Sequence, residues 1–261
     1  MNACGVHHVL DGPASGAPVV LSNSLGTTMR MWDPQAAALA RTRLVLRYDT
    51  RGHGHSPVPP PPYDLPDLGR DVIALLDWHD IERASLCGVS LGGMVSMWLA
   101  AHAPERVERL LLCSTSALFG PPELWAERAA LVRGAGMEAV ADAVIERWFT
   151  PAFAAARPGV VAATRAELVA TPAEGYAACC GVVERMDLRA DLPAIQAPTL
   201  VIAARDDPST PPEHAHLIAD GIPGARLVVL ERGAHLVNIE TPDVVTELVL
   251  GHLRAEGKGE A

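Results

Sequence analysis

The sequence has no run of apolar residues long enough to cross a bilayer as a helix, which takes about 20 of them. Its apolar stretches, such as residues 110–113 and 200–204, are strand-sized, so no membrane partner is expected. Residues 1–11 lack the basic start and apolar core of a secretory leader. Cysteine is sparse and odd in number, at five, which argues against a disulfide framework. A reducing, cytoplasmic compartment is expected instead. Cys87 and Cys113 fall in predicted buried strands and Cys179-Cys180 in a helical stretch, where thiols act as small apolar groups. Neither C-x-x-C nor H-E-x-x-H occurs, and no metal site is expected. Basic charge is in deficit, with 21 Lys and Arg against 31 Asp and Glu for a formal net charge of −10. Nucleic acid is therefore excluded as a natural partner. The acidity favours solubility, and an anionic ligand would need a local basic site to receive it. What is present is ordinary globular material, 49% hydrophobic and 20% charged over 261 residues. That suits one α/β domain with an insertion and a large core.

The segment Cys87-Gly88-Val89-Ser90-Leu91-Gly92-Gly93 reads G-x-S-x-G, with Ser90 at its centre. An apolar run, residues 84–87, precedes it. A helical pattern of Met94, Val95, Met97, Trp98, Leu99 and Ala101 follows. Strand, tight turn and helix together lift a serine hydroxyl clear of a sheet and expose it as a nucleophile. The flanking glycines remove side chains where strand and helix pack closely. The helix N-terminus aims N–H groups at the place where negative charge develops. A bare G-x-S-x-G also arises by chance in Gly-rich turns; the flanks are what favour function here.

A serine nucleophile needs a base, and the base needs an orienting acid. Residues 198–204 read as a buried strand and lead into Arg205-Asp206-Asp207-Pro208. Residues 225–231 read as another and lead into Gly233-Ala234-His235. An acid and a histidine, each on the loop after a late strand, complete the chain order Ser, acid, His. Asp207 is favoured over Asp206 by register: it lies three residues past Ala204 and four before Pro211. The other aspartate then pairs with Arg205 or caps the loop. An oxyanion hole needs two backbone donors. Leu91, directly after the nucleophile, supplies one. Leu25 supplies the other, from the loop Ser22-Asn23-Ser24-Leu25-Gly26-Thr27-Thr28 after the early strand Val19-Val20-Leu21.

Strand and helix patterns alternate along the chain. A strand at 44–48, a helix over 65–79 with Leu68, Val72, Leu75 and Leu76 on one face, and a strand at 107–113 surround the serine unit. The alternation resumes with a strand at 199–203, a helix at 212–219, a strand at 226–230 and a helix at 243–254. This predicts a doubly wound, mostly parallel α/β sheet. Residues 119–191 interrupt it with helical patterns alone, over 123–133, 137–148, 158–171 and 173–186. The expected organisation is a core from 1–118 and 192–261 and a helical cap from 119–191. A cap excludes water and shapes a pocket. It carries Arg128, Arg133, Arg147 and Arg165, with Trp125 and Trp148. The loop 47–56 is polar and Gly-rich; Asp49 and Arg51 are read as bonding neighbouring loops beneath the site. Residues 57–62, five of them proline, predict a stiff surface loop, and the polar residues 255–261 a frayed tail.

The segments Leu21-Ser22-Asn23-Ser24-Leu25-Gly26-Thr27, Gly88-Val89-Ser90-Leu91-Gly92-Gly93-Met94, Asp207-Pro208-Ser209-Thr210-Pro211-Pro212 and Gly233-Ala234-His235-Leu236 resemble those of 3-oxoadipate enol-lactone hydrolases. The loop Arg51-Gly52-His53-Gly54-His55-Ser56 is similar to one carried by α/β-hydrolases at large. Ala204 stands where many relatives have glycine. The resemblance implies an α/β-hydrolase fold with a helical cap inserted after the sixth strand. It implies a cytoplasmic serine hydrolase, free of cofactors, with Ser90 as nucleophile, His235 as base and Asp207 as acid. The implied substrate is a small anionic lactone, 3-oxoadipate enol-lactone, opened in aromatic degradation. Its carboxylate calls for a cap arginine; Arg133 and Arg147, with Trp148 beside the latter, are the first candidates. Other readings are another cap-bearing esterase or lactonase, a cofactor-free haloperoxidase-like enzyme, or a ligand receptor without turnover.

Overall fold

The computed structural model describes residues 5–254. The reading for the tail 255–261, and residues 1–4 of the N-terminal reading, lie outside them. The chain runs through β1 (His8–Asp11), β2 (Ala17–Ser22), α1 (Asp33–Leu39), β3 (Arg43–Tyr48), α2 (Leu65–Trp78), β4 (Ala84–Val89), α3 (Leu91–His102) and β5 (Val107–Cys113). Five helices follow: α4 (Pro122–Ala135), α5 (Glu138–Trp148), α6 (Pro151–Ala156), α7 (Pro158–Ala170) and α8 (Ala173–Arg185). The core resumes with β6 (Thr199–Ala204), α9 (Pro212–Gly221), β7 (Arg226–Leu230), α10 (Val237–Glu240) and α11 (Pro242–Arg254).

The strands form one sheet in the order β1-β3-β2-β4-β5-β6-β7. β1 pairs antiparallel with β3, and the other described pairings are parallel. β4 and β6 are buried at every position, as parallel strands covered on both faces must be. The register sets Ser22 opposite Gly88, Val89 opposite Cys113 and Cys113 opposite Ile202. The carboxyl ends of β2, β4, β5 and β6 therefore finish nearly level, and the loops after them gather along one edge, where open α/β sheets place their ligands.

The helices follow from local chemistry. Asp64 and Asp67 form a reciprocal capping box at the start of α2, with Pro66 in its first turn. Leu68, Val72, Leu75 and Leu76 line its buried face. α3 is buried around most of its circumference, because it lies against the sheet and beneath α2; it therefore lacks a polar stripe.

Several details differ from the sequence reading. A 3₁₀ turn, Met29–Trp32, leads into α1. β1, α6 and α10 carry too few residues for periodicity to register. The helical insertion follows the fifth described strand, not the sixth. A single four-residue strand, β1, precedes β2 among the described residues, and Gly12 (φ +90°) turns the chain back tightly over β3.

Within the insertion α4 packs along α8. α8 in turn seats directly on the core loop that follows β3. Gly175 touches Gly52 backbone to backbone; a Cβ on Gly175 would lie 2.2 Å from the Gly52 carbonyl oxygen. Arg185 donates to the Tyr63 carbonyl at 2.6 Å. No helix among the described residues is long and apolar enough to cross a membrane.

Candidate active site

Ser90 stands between the end of β4 and the first residue of α3, with φ 54° and ψ −115°. Such a conformation costs a non-glycine residue of order 1–3 kcal/mol and persists only where its surroundings impose it. They do so here. Ser90 N–H donates to the Cys113 carbonyl at 3.0 Å, and Thr115 Oγ1 donates to the Ser90 carbonyl at 2.6 Å. Gly92 N–H donates to the Asn23 carbonyl at 2.9 Å, tying the turn to the loop after β2. A Cβ on Gly88 would sit 2.3 Å from Gly92 O, and one on Gly92 would sit 2.2 Å from Ser22 O. Both obstacles are backbone, so neither can swing aside. Gly92→Ala is expected to destabilise the protein by about 2–3 kcal/mol through overpacking. Gly134→Ala, in α4 with open space around it, should stabilise it by about 0.5–1 kcal/mol. Urea denaturation of the pair checks this; comparable stability of the two variants would contradict the close-packed elbow.

Asp207 and His235 face each other. Asp207 lies past the end of β6 and is 2% exposed, whereas its neighbour Asp206 is exposed. Asp207 Oδ1 accepts the N–H groups of Ser209 (2.8 Å) and Thr210 (3.0 Å). Oδ2 accepts the Thr210 hydroxyl at 2.6 Å and lies 2.9 Å from His235 Nδ1. Burial pushes this carboxyl up, but the facing His235, its hydrogen bond and the Thr210 donors outweigh burial and hold it at about 2. With Nδ1 held by Asp207, Nε2 is the nitrogen left for the cavity that His235 shares with Ser90.

Leu91 opens α3, so its N–H has no carbonyl four residues back within the helix. Leu25 lines the cavity, in a loop braced by its own hydrogen bonds. Gly26 (φ +81°) donates its N–H to His53 Nε2 at 2.9 Å. His53 Nδ1 lies 3.2 Å from the Arg51 carbonyl, so Nδ1 carries the proton and Nε2 accepts. Burial pushes the His53 imidazole down to about 4, against the pull of the Arg51 carbonyl and Asp49. It is thus a neutral acceptor at physiological pH. The sequence reading gave His53 no separate role within its structural loop. The loop's structural reading otherwise agrees with its bonds: Arg51 grips Asp71 at 2.6 and 2.7 Å, and Asp49 accepts the N–H groups of Met29 and His55.

The cavity encloses about 240 Å³. Ser24, Leu25, Ser90, Pro208, Ser209 and His235 form its floor, and the helical insertion supplies Trp125, Arg128, Val144, Arg147, Trp148 and Tyr176. No carboxylate lines it among the described residues. Of the residues named from the sequence, Arg147 and Trp148 line the cavity and Arg133 does not. It lies off the cavity, its side chain 45% exposed, and forms a bidentate pair with Glu174 at 3.0 Å. It follows Arg128 by five residues on α4, which is roughly 140° further round the helix. Arg128 faces the cavity instead, its guanidinium 4.7 Å from the Trp125 ring centre. Arg165 is committed to Glu138 and Asp142. The four described cysteines are free, buried thiols, and no metal-binding cluster occurs among the described residues.

This geometry has relatives. A family model for the alpha/beta hydrolase fold matches residues 17–242. The chain belongs to the alpha/beta hydrolase family. The matched span takes in Leu25, Ser90, Leu91, Asp207 and His235 together. Among curated alpha/beta hydrolase relatives, 3-oxoadipate enol-lactonase 2 of Acinetobacter baylyi is 40% identical over 238 residues, covering 91% of this chain and 89% of its own. The crystal structure of the enol-lactonase from Burkholderia xenovorans LB400 superposes with a TM-score of 0.94 at 44% identity, covering 96% of each chain. A thermophilic esterase from Thermogutta terrifontis, determined with malate bound, gives a TM-score of 0.90 at 30% identity, covering 95% of this chain and 93% of its own.

Proposed function

We propose that the protein is a serine hydrolase that opens 3-oxoadipate enol-lactone to 3-oxoadipate in aromatic catabolism. The observation that carries this reading is one cavity uniting Ser90 and the Asp207–His235 pair with two arginines and no carboxylate. Identity of 40% to an enol-lactonase supports the choice of lactone. In the reaction Ser90 Oγ attacks the lactone carbonyl while His235 Nε2 takes its proton, and Asp207 holds the imidazole and stabilises its charge. The N–H groups of Leu25 and Leu91 receive the oxyanion. As the ring C–O bond breaks, His235 returns the proton to the departing enol oxygen, and the enol becomes the ketone. Water activated by His235 then releases the second carboxylate from Ser90.

Residues 119–191 act as the cap in this reading, and the core comprises 1–118 and 192–261. The cap closes the cavity with Trp125, Trp148 and Tyr176. It also supplies the charge that the net −10 chain otherwise withholds. Arg147 and Arg128 receive the substrate's free carboxylate, replacing Arg133 in that role. The free cysteines agree with a reducing, cytoplasmic compartment.

Arg147→Gln or Arg128→Gln is expected to raise KM for the enol-lactone about thirtyfold, the equivalent of about 2 kcal/mol for a lost buried charge pair. A neutral aryl ester should change by less than about threefold, and Arg133→Gln should leave both substrates unchanged. Steady-state kinetics on both substrates tests the reading. Equal losses on the two would remove the anionic substrate and favour a general esterase, the second reading, which the 30% identity to the thermophilic esterase supports.

A further inference from the structure

Glu240 ends α10 and is half-buried. Its turn is fixed to the core: Asn238 Nδ2 donates to the Met31 carbonyl, and Gln35 Nε2 to the Asn238 carbonyl, both at 2.9 Å. From that post its carboxylate takes three donors belonging to two other segments. Oε2 accepts the N–H of Ala234 at 3.1 Å and of Thr150 at 3.2 Å, and Oε1 accepts the Thr150 hydroxyl. Ala234 immediately precedes His235. Thr150 follows Arg147 and Trp148 and caps α6.

Two backbone bonds run beside these contacts. His235 N–H reaches the Arg147 carbonyl at 3.4 Å, and Leu236 N–H the Trp148 carbonyl at 3.0 Å. One side of this seam bears the histidine and the other bears Arg147 and Trp148, and all three residues line the cavity. The first of the two bonds is long and weak by hydrogen-bond standards. Glu240 adds three side-chain contacts across the same seam, so it is the firmer closure.

We propose that Glu240 is a positioning residue that locks the substrate-facing wall of the cap and the catalytic histidine into one unit. The inference rests on the hydrolase reading above. Loss of the lock frees the end of α5 to move, carrying Arg147 and Trp148 from the serine and pulling on the backbone of His235. Substrate affinity and the chemical step then suffer together. A side chain that merely stabilised the fold would lower the melting temperature and leave kcat and KM of the folded enzyme intact.

The test uses the full chain and a neutral aryl ester, so that the identity of the natural lactone does not enter. Glu240→Ala is expected to lower kcat at least tenfold and raise KM severalfold while circular dichroism reports a folded protein. Glu240→Gln should stay within about threefold of wild type, because the amide oxygen still accepts the two N–H groups and its NH₂ can donate to Thr150 Oγ1. Thr150→Val should lower kcat at least threefold. The double variant Glu240→Ala/Thr150→Val should be little worse than Glu240→Ala, as residues sharing one interaction are non-additive. Wild-type kinetics in folded Glu240→Ala would overturn the proposal. So would equal losses in the Ala and Gln variants, which would assign the effect to charge and not to the seam. If Glu240→Ala fails to fold, Thr150→Val decides: wild-type kcat overturns the proposal and the expected loss supports it. Ser90→Ala in the same assay separates the two levels, since its activity tests the hydrolase reading alone.

Discussion

On the hydrolase reading, Ser90→Ala is expected to lower kcat by roughly five to six powers of ten and to leave the fold in place. Triad members act as a unit, so removal of the attacking oxygen forfeits the help of His235 and Asp207 as well; what remains comes from binding and oxyanion stabilisation. Folding should survive because the turn is held through backbone groups: the Ser90 N–H bonded to Cys113 and its carbonyl bonded to Thr115. The side chain makes no capping bond to α3. Alanine faces the same left-handed φ of 54° as serine, so backbone strain is unchanged. Melting temperatures should agree within a few degrees while turnover of the enol-lactone and of an aryl ester vanishes together. A fluorophosphonate should add its mass to one peptide of the wild type, that containing Ser90, and to none of the variant. Near-native turnover in Ser90→Ala would remove the hydrolase reading altogether.

What was legible in the sequence and what was not divides along physical lines. In a parallel α/β chain the chemistry sits on loops after strand ends, and strands announce themselves as short apolar runs. Ser90, Asp207 and His235 were therefore readable once β4, β6 and β7 were. Register favoured Asp207 over Asp206, and the two differ in their surroundings: Asp207 is buried and meets four donors or partners, while Asp206 is exposed. The arginines were less legible. Both Arg128 and Arg133 lie on α4, and which one faces the cavity depends on how α4 packs on α8 and how α8 seats on Gly52. Those contacts join residues far apart in the chain, and no periodicity encodes the angle. The contacts of His53 and Glu240 were invisible for the same reason. Their bonds span 27 and 90 residues, to Gly26 and Thr150.

Asp207→Asn should cost about four powers of ten in kcat, with Asp206→Asn within about twofold of wild type. The hydrogen-bond pattern dictates the difference. The backbone N–H groups of Ser209 and Thr210 require an acceptor at the Oδ1 position. An asparagine must place its carbonyl oxygen there, which turns its NH₂ toward His235 Nδ1. Nδ1 then accepts, the ring proton moves to Nε2, and Nε2 can no longer take the proton of Ser90. Asp206 is exposed and contributes none of this. The same contacts set a pH signature of stability. Because the folded-state pKa of Asp207 is depressed to about 2, the carboxylate stabilises the fold above its unfolded value of about 3.9, by of order 2 kcal/mol. That contribution fades as pH falls through the window between the two values. The stability gap between wild type and Asp207→Asn should accordingly be full at pH 6 and narrow steadily from about pH 4 toward pH 2, as followed by urea denaturation. A gap that stays constant across that range would mean that Asp207 is not ionised against His235 in the folded protein, and an activity loss at Asp206 equal to that at Asp207 would reverse the assignment of the acid.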